Sequence, residues 1–294
     1  MMSAFQNVML IGASGSLGSV VLQTFLKSQY TVTILSRQGS TSTFPPYVRV
    51  VKADYSSQSS LTAAMQGQDV VISMVGGAVV GDQTPLIDAA ATAGVKRFFP
   101  SEFGPDTLNA ETLKAIPSLP AKVGAVEHLR TKEPQMEWTS VITGGWLDWG
   151  LKGGIYPFDF TTRTAAVVDD GEAKFTVTTL PKVAKALVAI LEHAELSRNK
   201  YVYTSSFNMS QMELLHALEK VDGQKWTIRH ENSVDVIEDG MKLIRAGNYG
   251  GTANLVKGLM FGKRGLGEST GEFWDERLGL ELENLEQILE DIVR

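Results

Sequence analysis

Between Asn7 and Leu26 the chain reads NVMLIGASGSLGSVVLQTFL. The apolar run NVMLI is the length of a buried strand and too short for a helix. After the glycines, apolar residues in VVLQTFLKS return at helical spacing. Gly12, Gly15 and Gly18 therefore occupy the turn from a strand into a helix. Gly12 permits the tight turn, Gly15 lets a pyrophosphate approach the backbone, and Gly18 lets the helix pack close to the sheet. The helix then offers free N–H groups and a positive dipole end to the phosphates. Ser14, Ser16 and Leu17 share this turn and are expected cofactor contacts. GxxGxxG alone is a weak signal; after a strand and before a helix it is a specific one.

The alternation continues. YTVTILS (30–36), VRVVKAD (48–54), DVVISMV (69–75), VKRFFP (95–100) and WTSVITGG (138–145) read as further strands. Between them SSLTAAMQG, TPLIDAAATAG and AKVGAVEHLRTK read as helices, with Pro85 suited to a first helical turn. This rhythm predicts an α/β fold, a Rossmann-type doubly wound parallel sheet covered on both faces. It breaks after Gly145. WLDWGLKGGIYPF is aromatic and glycine-rich, and KFTVT, KYVYT and WTIRH are short strand candidates. PKVAKALVAILEH and SVDVIEDGMKLIRAG look helical. SQMELLHALEKV carries a capping box, Ser210 with Glu213. Gly247 to Gly271 is glycine-rich and reads as loops, and LELENLEQILEDIV as a closing helix. The expected division is a nucleotide-binding domain over 1–150 and a smaller α/β substrate region over 151–294, with strand-like pieces of the second half returning to the main sheet.

The end of the second strand selects the cofactor. An acid there would hold the ribose 2′-OH of NAD. Here stand Ser36, Arg37 and Gln38. Arg37 can grip a 2′-phosphate with its planar fork while Ser36 adds a hydrogen bond, so NADP(H) is expected. Asp54 can accept from the adenine amino group or cap the next helix. Val75, Gly76 and Gly77 end the fourth strand, where backbone passes close to the cofactor. In RFFPSEFG (97–104), Ser101, Glu102 and Phe103 lie past the carboxyl end of the fifth strand, where open α/β sheets bind ligands. Glu102 is read as a loop anchor, and Ser101 and Phe103 as shaping the nicotinamide site.

Composition narrows the function classes. The net charge is −6, with no Lys/Arg block to meet phosphates of a nucleic acid. The chain has no cysteine, which removes disulfides and thiolate chemistry. Its four histidines are dispersed and show no HxxxH or HExxH spacing, so no metal is expected. No GxSxG elbow appears. The N-terminal segment lacks a basic region and no stretch reaches roughly 18 apolar residues. A cytoplasmic protein with no membrane partner is expected.

GASGSLG, SMVGG and KRFFPSEFG, followed by a lysine opening a helix, resemble the isoflavone reductase-like branch of the NmrA-like proteins, atypical short-chain dehydrogenases. The likeness covers the first half well and the second half loosely. It implies an NADPH-binding Rossmann domain, a smaller substrate domain, and an active site between them that uses a lysine in place of a Tyr-xxx-Lys pair. The matching residue is Lys122, with Lys114 and Lys132 as competitors. The family's two arginines after that lysine are missing; Ala125, Val126, Glu127 and His128 stand there. Pro117 and Pro120 bound the start of the helix. A cation in its first turn opposes the dipole, and partial burial would lower its pKa further. Ser118 stands four residues before Lys122, but Pro120 between them argues against a shared helical face. The resemblance also marks Gln83 after the fourth strand, and Gly144, Gly145 and Trp146 on the nicotinamide and substrate side. Trp146, Trp149, Tyr156 and Phe158 are either pocket walls for a planar aromatic substrate or ordinary core.

The leading expectation is an NADPH-dependent reductase acting on a carbonyl, activated C=C or benzylic ether of a small aromatic molecule. A non-catalytic NADP(H) sensor is the alternative; such NmrA-like proteins lack the lysine, so Lys122 discriminates the two. Redox-neutral isomerisation or cyclisation on the same fold is a third reading. A homodimer is compatible with each.

Overall fold

The computed structural model describes residues 5–248 and 250–293. Its strands are β1 (Asn7–Ile11), β2 (Thr31–Arg37), β3 (Arg49–Ala53), β4 (Val70–Ser73), β5 (Arg97–Phe99), β6 (Glu137–Ile142), β7 (Gly145–Trp146), β8 (Phe158–Asp159), β9 (Thr164–Val168), β10 (Lys174–Thr178), β11 (Lys200–Tyr203), β12 (Phe207–Ser210) and β13 (Thr227–Glu231). Its helices are α1 (Ser16–Phe25), α2 (Gln58–Met65), α3 (Thr84–Thr92), α4 (Ala110–Ala115), α5 (Leu119–Arg130), α6 (Leu147–Lys152), α7 (Leu180–Glu192), α8 (Gln211–Asp222), α9 (Ser233–Arg245), α10 (Gly251–Phe261) and α11 (Leu285–Val293).

The main sheet has seven strands in the order β11-β6-β5-β4-β1-β2-β3, all parallel. This is the doubly wound α/β fold that the strand–helix rhythm predicts. KYVY, from the second half, does return to it as β11. Alternation along β1 explains the two covered faces. Val8 and Leu10 pack with Val21 and Phe25 of α1 and Leu187 of α7, while Met9 and Ile11 pack with Leu61 of α2, Ile87 of α3 and Val126 of α5. Strand order reverses between β1 and β4, which opens a crevice beyond their carboxyl ends.

Two three-stranded sheets, β12-β10-β7 and β13-β9-β8, carry the second half. Their own core gathers Leu147, Phe175, Leu214, Trp226, Phe261 and Leu289. The capping box on α8 forms as expected: Glu213 N–H donates to Ser210 Oγ at 3.2 Å, and Ser210 N–H to Glu213 Oε2 at 2.8 Å.

The glycine-rich stretch after Gly247 corrects the expectation of loops, because α10 lies within it. Its glycines serve helix contact. A side chain on Gly240 of α9 would meet Leu255 N at 2.7 Å and the Gly251 carbonyl at 2.8 Å, and one on Gly258 would meet Ile237. Gly240→Ala is expected to lower stability by about 1–2 kcal/mol in urea unfolding, the overpacking cost exceeding alanine's helix-propensity gain of about 1 kcal/mol. Unchanged or higher stability would show that α9 and α10 separate freely.

Candidate active site

The glycine turn is built by close approach. Gly12 holds φ +81°, and a side chain there would run into the Met74 carbonyl just past β4; at Gly18 it would strike the Gly12 carbonyl. Gly15 is the N-cap of helix α1, which therefore has no side-chain cap, and no acid stands in its first turn. Its first N–H groups and dipole are therefore open to an anion. That arrangement fits a pyrophosphate.

From here a trough runs in both directions. One part, about 240 Å³, is lined by Gly12, Ser14, Gly15, Ser36, Arg37 and Tyr55. Ser36 is buried at the carboxyl end of β2 and Arg37 is exposed beside it. No carboxylate pairs with Arg37 among the described residues. Tyr55 is a wall that the sequence reading missed; burial pushes its hydroxyl up to about 12, against the pull of the Arg37 charge. The only signal for it was an aromatic following the third strand. The middle part, about 330 Å³, is lined by Ser16, Leu17, Gly18, Ser101, Phe103 and Lys122, and shares Gly15, Val75 and Gly76 with the first. Ser101 Oγ donates to the Val75 carbonyl at 2.7 Å, which joins the two rims. Gly77 opens the short 3-10 turn Gly77–Gly81.

Two residues expected to contact the cofactor are not among those that line the trough. Asp54 is outside the trough lining; its Oδ1 accepts from Ser56 N–H at 2.9 Å and Ser56 Oγ at 2.6 Å, which holds the exposed carboxyl below its ordinary range. Nor does it cap α2, because Ser57 takes that position and accepts from Ser60 N–H. Gln83 lies beneath the rim. Its Oε1 accepts from Ser73 Oγ at 3.0 Å and Ser101 N–H at 2.9 Å, tying the ends of β4 and β5 together.

Lys122 is the fourth residue of α5. Its Nζ donates to the Glu102 carbonyl. Its competitors are placed otherwise: Lys114 is exposed and pairs with Glu111 at 2.9 Å, and Lys132 pairs with Asp88 at 2.7 Å. Ser118 is the N-cap residue of α5 but makes no side-chain cap bond. Burial lowers the Lys122 ammonium pKa, and the Glu102 carboxylate offsets part of that. Burial likewise raises the Glu102 carboxyl, with Lys122 and a hydrogen bond from Thr107 Oγ1 working against it. Glu102 is thus the buried loop anchor expected. Phe103 turns the chain at φ +27° and is the hinge between the middle part of the trough and an apolar cavity.

That cavity, about 250 Å³, shares Phe103, Lys122 and Trp146 with the trough and adds Gly144, Gly145, Trp149 and Tyr156. Gly144 holds φ +63°, and a side chain there would run into the Thr176 carbonyl. Trp146 and Trp149 meet edge to face, centroids 5.6 Å apart. Trp149 Nε1–H donates to Ser16 Oγ at 3.0 Å, linking the cavity wall to the glycine turn. Tyr156 serves both as pocket and as core, packing on Phe261 at 5.5 Å. Phe158 does not join them. It pairs with Ala165 across β8 and β9 and turns its ring onto Trp226, at 6.2 Å, inside the second core.

Among the described residues no group of His, Cys, Asp or Glu could hold a metal, and no helix is long and apolar enough to cross a membrane. His128 is engaged with Asp88 at 2.8 Å.

The model of the NmrA-like family matches residues 5–243. Oxidoreductase aprR of Aspergillus flavus is 31% identical over 98% of this chain and 98% of its own length. The isoflavone reductase homolog IRL of Zea mays is 35% identical over 63% of this chain and 60% of its own length. Among solved structures, AtPrR2 with NADP+ and (+)pinoresinol superposes with a TM-score of 0.81, covering 99% of this chain and 100% of that one at 19% identity.

Proposed function

Because the chain belongs to the NmrA-like family and resembles its isoflavone reductase homologues, we propose that it is an NADPH-dependent reductase of a small aromatic molecule. The observation that carries this reading is the unbroken trough from Arg37, past the open end of α1, to Lys122 and the apolar cavity behind it. Its charge pattern suits NADP(H): a guanidinium for a 2′-phosphate, a helix N-terminus for the pyrophosphate, and a nearly apolar end for the nicotinamide. The named relatives support it, one being an oxidoreductase and one a structure of the same fold solved with NADP+ and (+)pinoresinol. The division at about residue 150 into a cofactor half and a substrate half, and a cytoplasmic setting, belong to the same proposal.

Bound NADPH supplies the hydride. The chain supplies position, a dry wall and a proton. Ser101, Phe103 and Gly144 confine the nicotinamide end, and Gln83 holds Ser101 from beneath. Lys122 gives its ammonium proton to the substrate atom that becomes negative, and solvent returns it. Its carbonyl partner at Glu102 fixes the direction of the amine.

A screen of aromatic ketones, enones and benzylic ethers for NADPH oxidation tests the activity. Turnover of one class is expected. Silence across the panel with NADPH binding intact is what the sensor reading expects. The pH profile gives a second check. Lys122 acts while protonated, so kcat/KM should fall as pH rises through its lowered pKa, below the ordinary lysine value of 10.5. An alkaline limb at or above that value would place the proton donor elsewhere.

A further inference from the structure

We infer that Asp106 is a positioning residue for this site: its carboxylate joins the cavity wall supplied by the cofactor half to the wall supplied by the substrate half. It thereby sets the shape of the cavity beside Lys122; this rests on the reading of that cavity as the substrate site. Two stretches from opposite halves of the chain line the cavity. Phe103, Gly104 and Pro105 come from the loop after β5, and Leu266 and Gly267 from the stretch after α10. Asp106 directly follows the first, and Thr270 stands three residues past the second. Asp106 is 3% exposed. Its Oδ1 accepts from the Leu108 N–H at 3.0 Å and the Tyr203 hydroxyl at 2.9 Å, and its Oδ2 from the Thr270 N–H and Oγ1, each at 3.2 Å. One oxygen thus serves the loop after β5 and strand β11 of the main sheet, while the other serves the stretch after α10. A carboxylate is costly to bury unless its oxygens are bonded, so the three segments are held as one joint.

Each wall has its own anchor besides. The Gly104 carbonyl accepts from the Thr143 N–H at 3.2 Å and the Gly144 N–H at 3.0 Å, and Thr107 Oγ1 donates to the Glu102 carboxylate. Opposite, the Gly267 carbonyl accepts from the Thr176 N–H at 2.9 Å, and the Ser269 N–H donates to Thr176 Oγ1 at 2.9 Å. A side chain on Gly271 would strike the Tyr203 ring, so this stretch lies flush on β11. A second tie, Arg264 with Glu111 of α4 at 3.5 Å, is exposed and contributes little. The carbonyl that holds Lys122 therefore keeps its place without Asp106, whereas the spacing of the two walls depends on it. Asparagine separates these roles. Its Oδ1 still accepts from Leu108 and Tyr203, but its amide meets the Thr270 N–H donor against donor. The substrate-side wall is released while the loop after β5 stays anchored.

The test uses the full chain with saturating NADP+. Mass spectrometry follows hydrogen exchange across 262–271, and equilibrium dialysis follows tetralin, an apolar two-ring probe. The cavity volume of about 250 Å³ admits it, since about 150 Å³ takes benzene. Asp106→Asn should speed exchange of that stretch about tenfold and weaken tetralin binding about tenfold, with NADPH affinity within about twofold of wild type. Thr270→Val keeps the N–H and loses the hydroxyl, and should move both readouts the same way by about threefold. The double variant should fall short of the product of the two. Thr270→Val decides alone if Asp106→Asn does not fold. With the substrate found in the screen, KM should rise about tenfold in Asp106→Asn and kcat change less than about threefold. Unchanged tetralin binding in the variants, an equal loss of NADPH affinity, or a fall in kcat at constant KM overturns the proposal. A wild type that takes up no tetralin overturns the cavity reading and this proposal with it. The expected tetralin and exchange effects without NADPH oxidation count against the reductase activity and leave the role of Asp106 standing.

Discussion

Lys122→Ala is expected to lower kcat by about a thousandfold while NADPH affinity stays within about fivefold of wild type. The proton donor is lost, but the 2′-phosphate and pyrophosphate ends of the trough are untouched. The fold should survive, because among the described residues the amine's hydrogen bond is the single one to the Glu102 carbonyl. Lys122→Arg separates charge from proton donation. An arginine stays protonated at all working pH values, so it should keep NADPH binding and fail to restore turnover. Single-turnover kinetics with the substrate found in the screen decides the point. Retained turnover in Lys122→Ala would move the acid to another residue. Loss of NADPH binding as well would make Lys122 a cofactor anchor first.

Arg37→Ala is expected to weaken NADPH binding by about 30-fold and leave NADH binding unchanged. The guanidinium lies at the end of β2 beside Ser36 and Tyr55, and among the described residues no carboxylate pairs with it. On the proposed reading it serves the 2′-phosphate, so only the phosphorylated cofactor should notice its removal. Fluorescence titration of both nucleotides against both proteins measures the four constants. Equal wild-type affinities for NADPH and NADH would overturn the cofactor assignment. The effect should shrink as salt rises, since the site is exposed and screened.

Much of the fold was legible because it is written locally. Period-two and period-3.6 patterns, the capping box at Ser210 and the glycines after β1 each depend on neighbours within about one helical turn or strand. The helix around α10 was hidden for a related reason. Its glycines look like loop residues when read along the chain, and only the backbone of α9 against them shows why no side chain fits. Tyr55 and Phe158 show the same limit. An aromatic beside a strand has no local mark for which cavity its ring will face.

By itself the sequence determined the parallel sheet, the phosphate turn, the absence of an acid at the end of β2, and a short set of candidate lysines. Only the tertiary structure set those lysines apart: it pairs Lys114 and Lys132 with surface carboxylates and leaves Lys122 half-buried on the Glu102 carbonyl, in the wall of the trough. Only it separated Tyr156 from Phe158, and set Asp54 and Gln83 outside the lining of the trough. The physical reason is common to all of these. Backbone preference and hydrophobic period are short-range, whereas burial and the choice of hydrogen-bond partner depend on which distant segments the fold brings together.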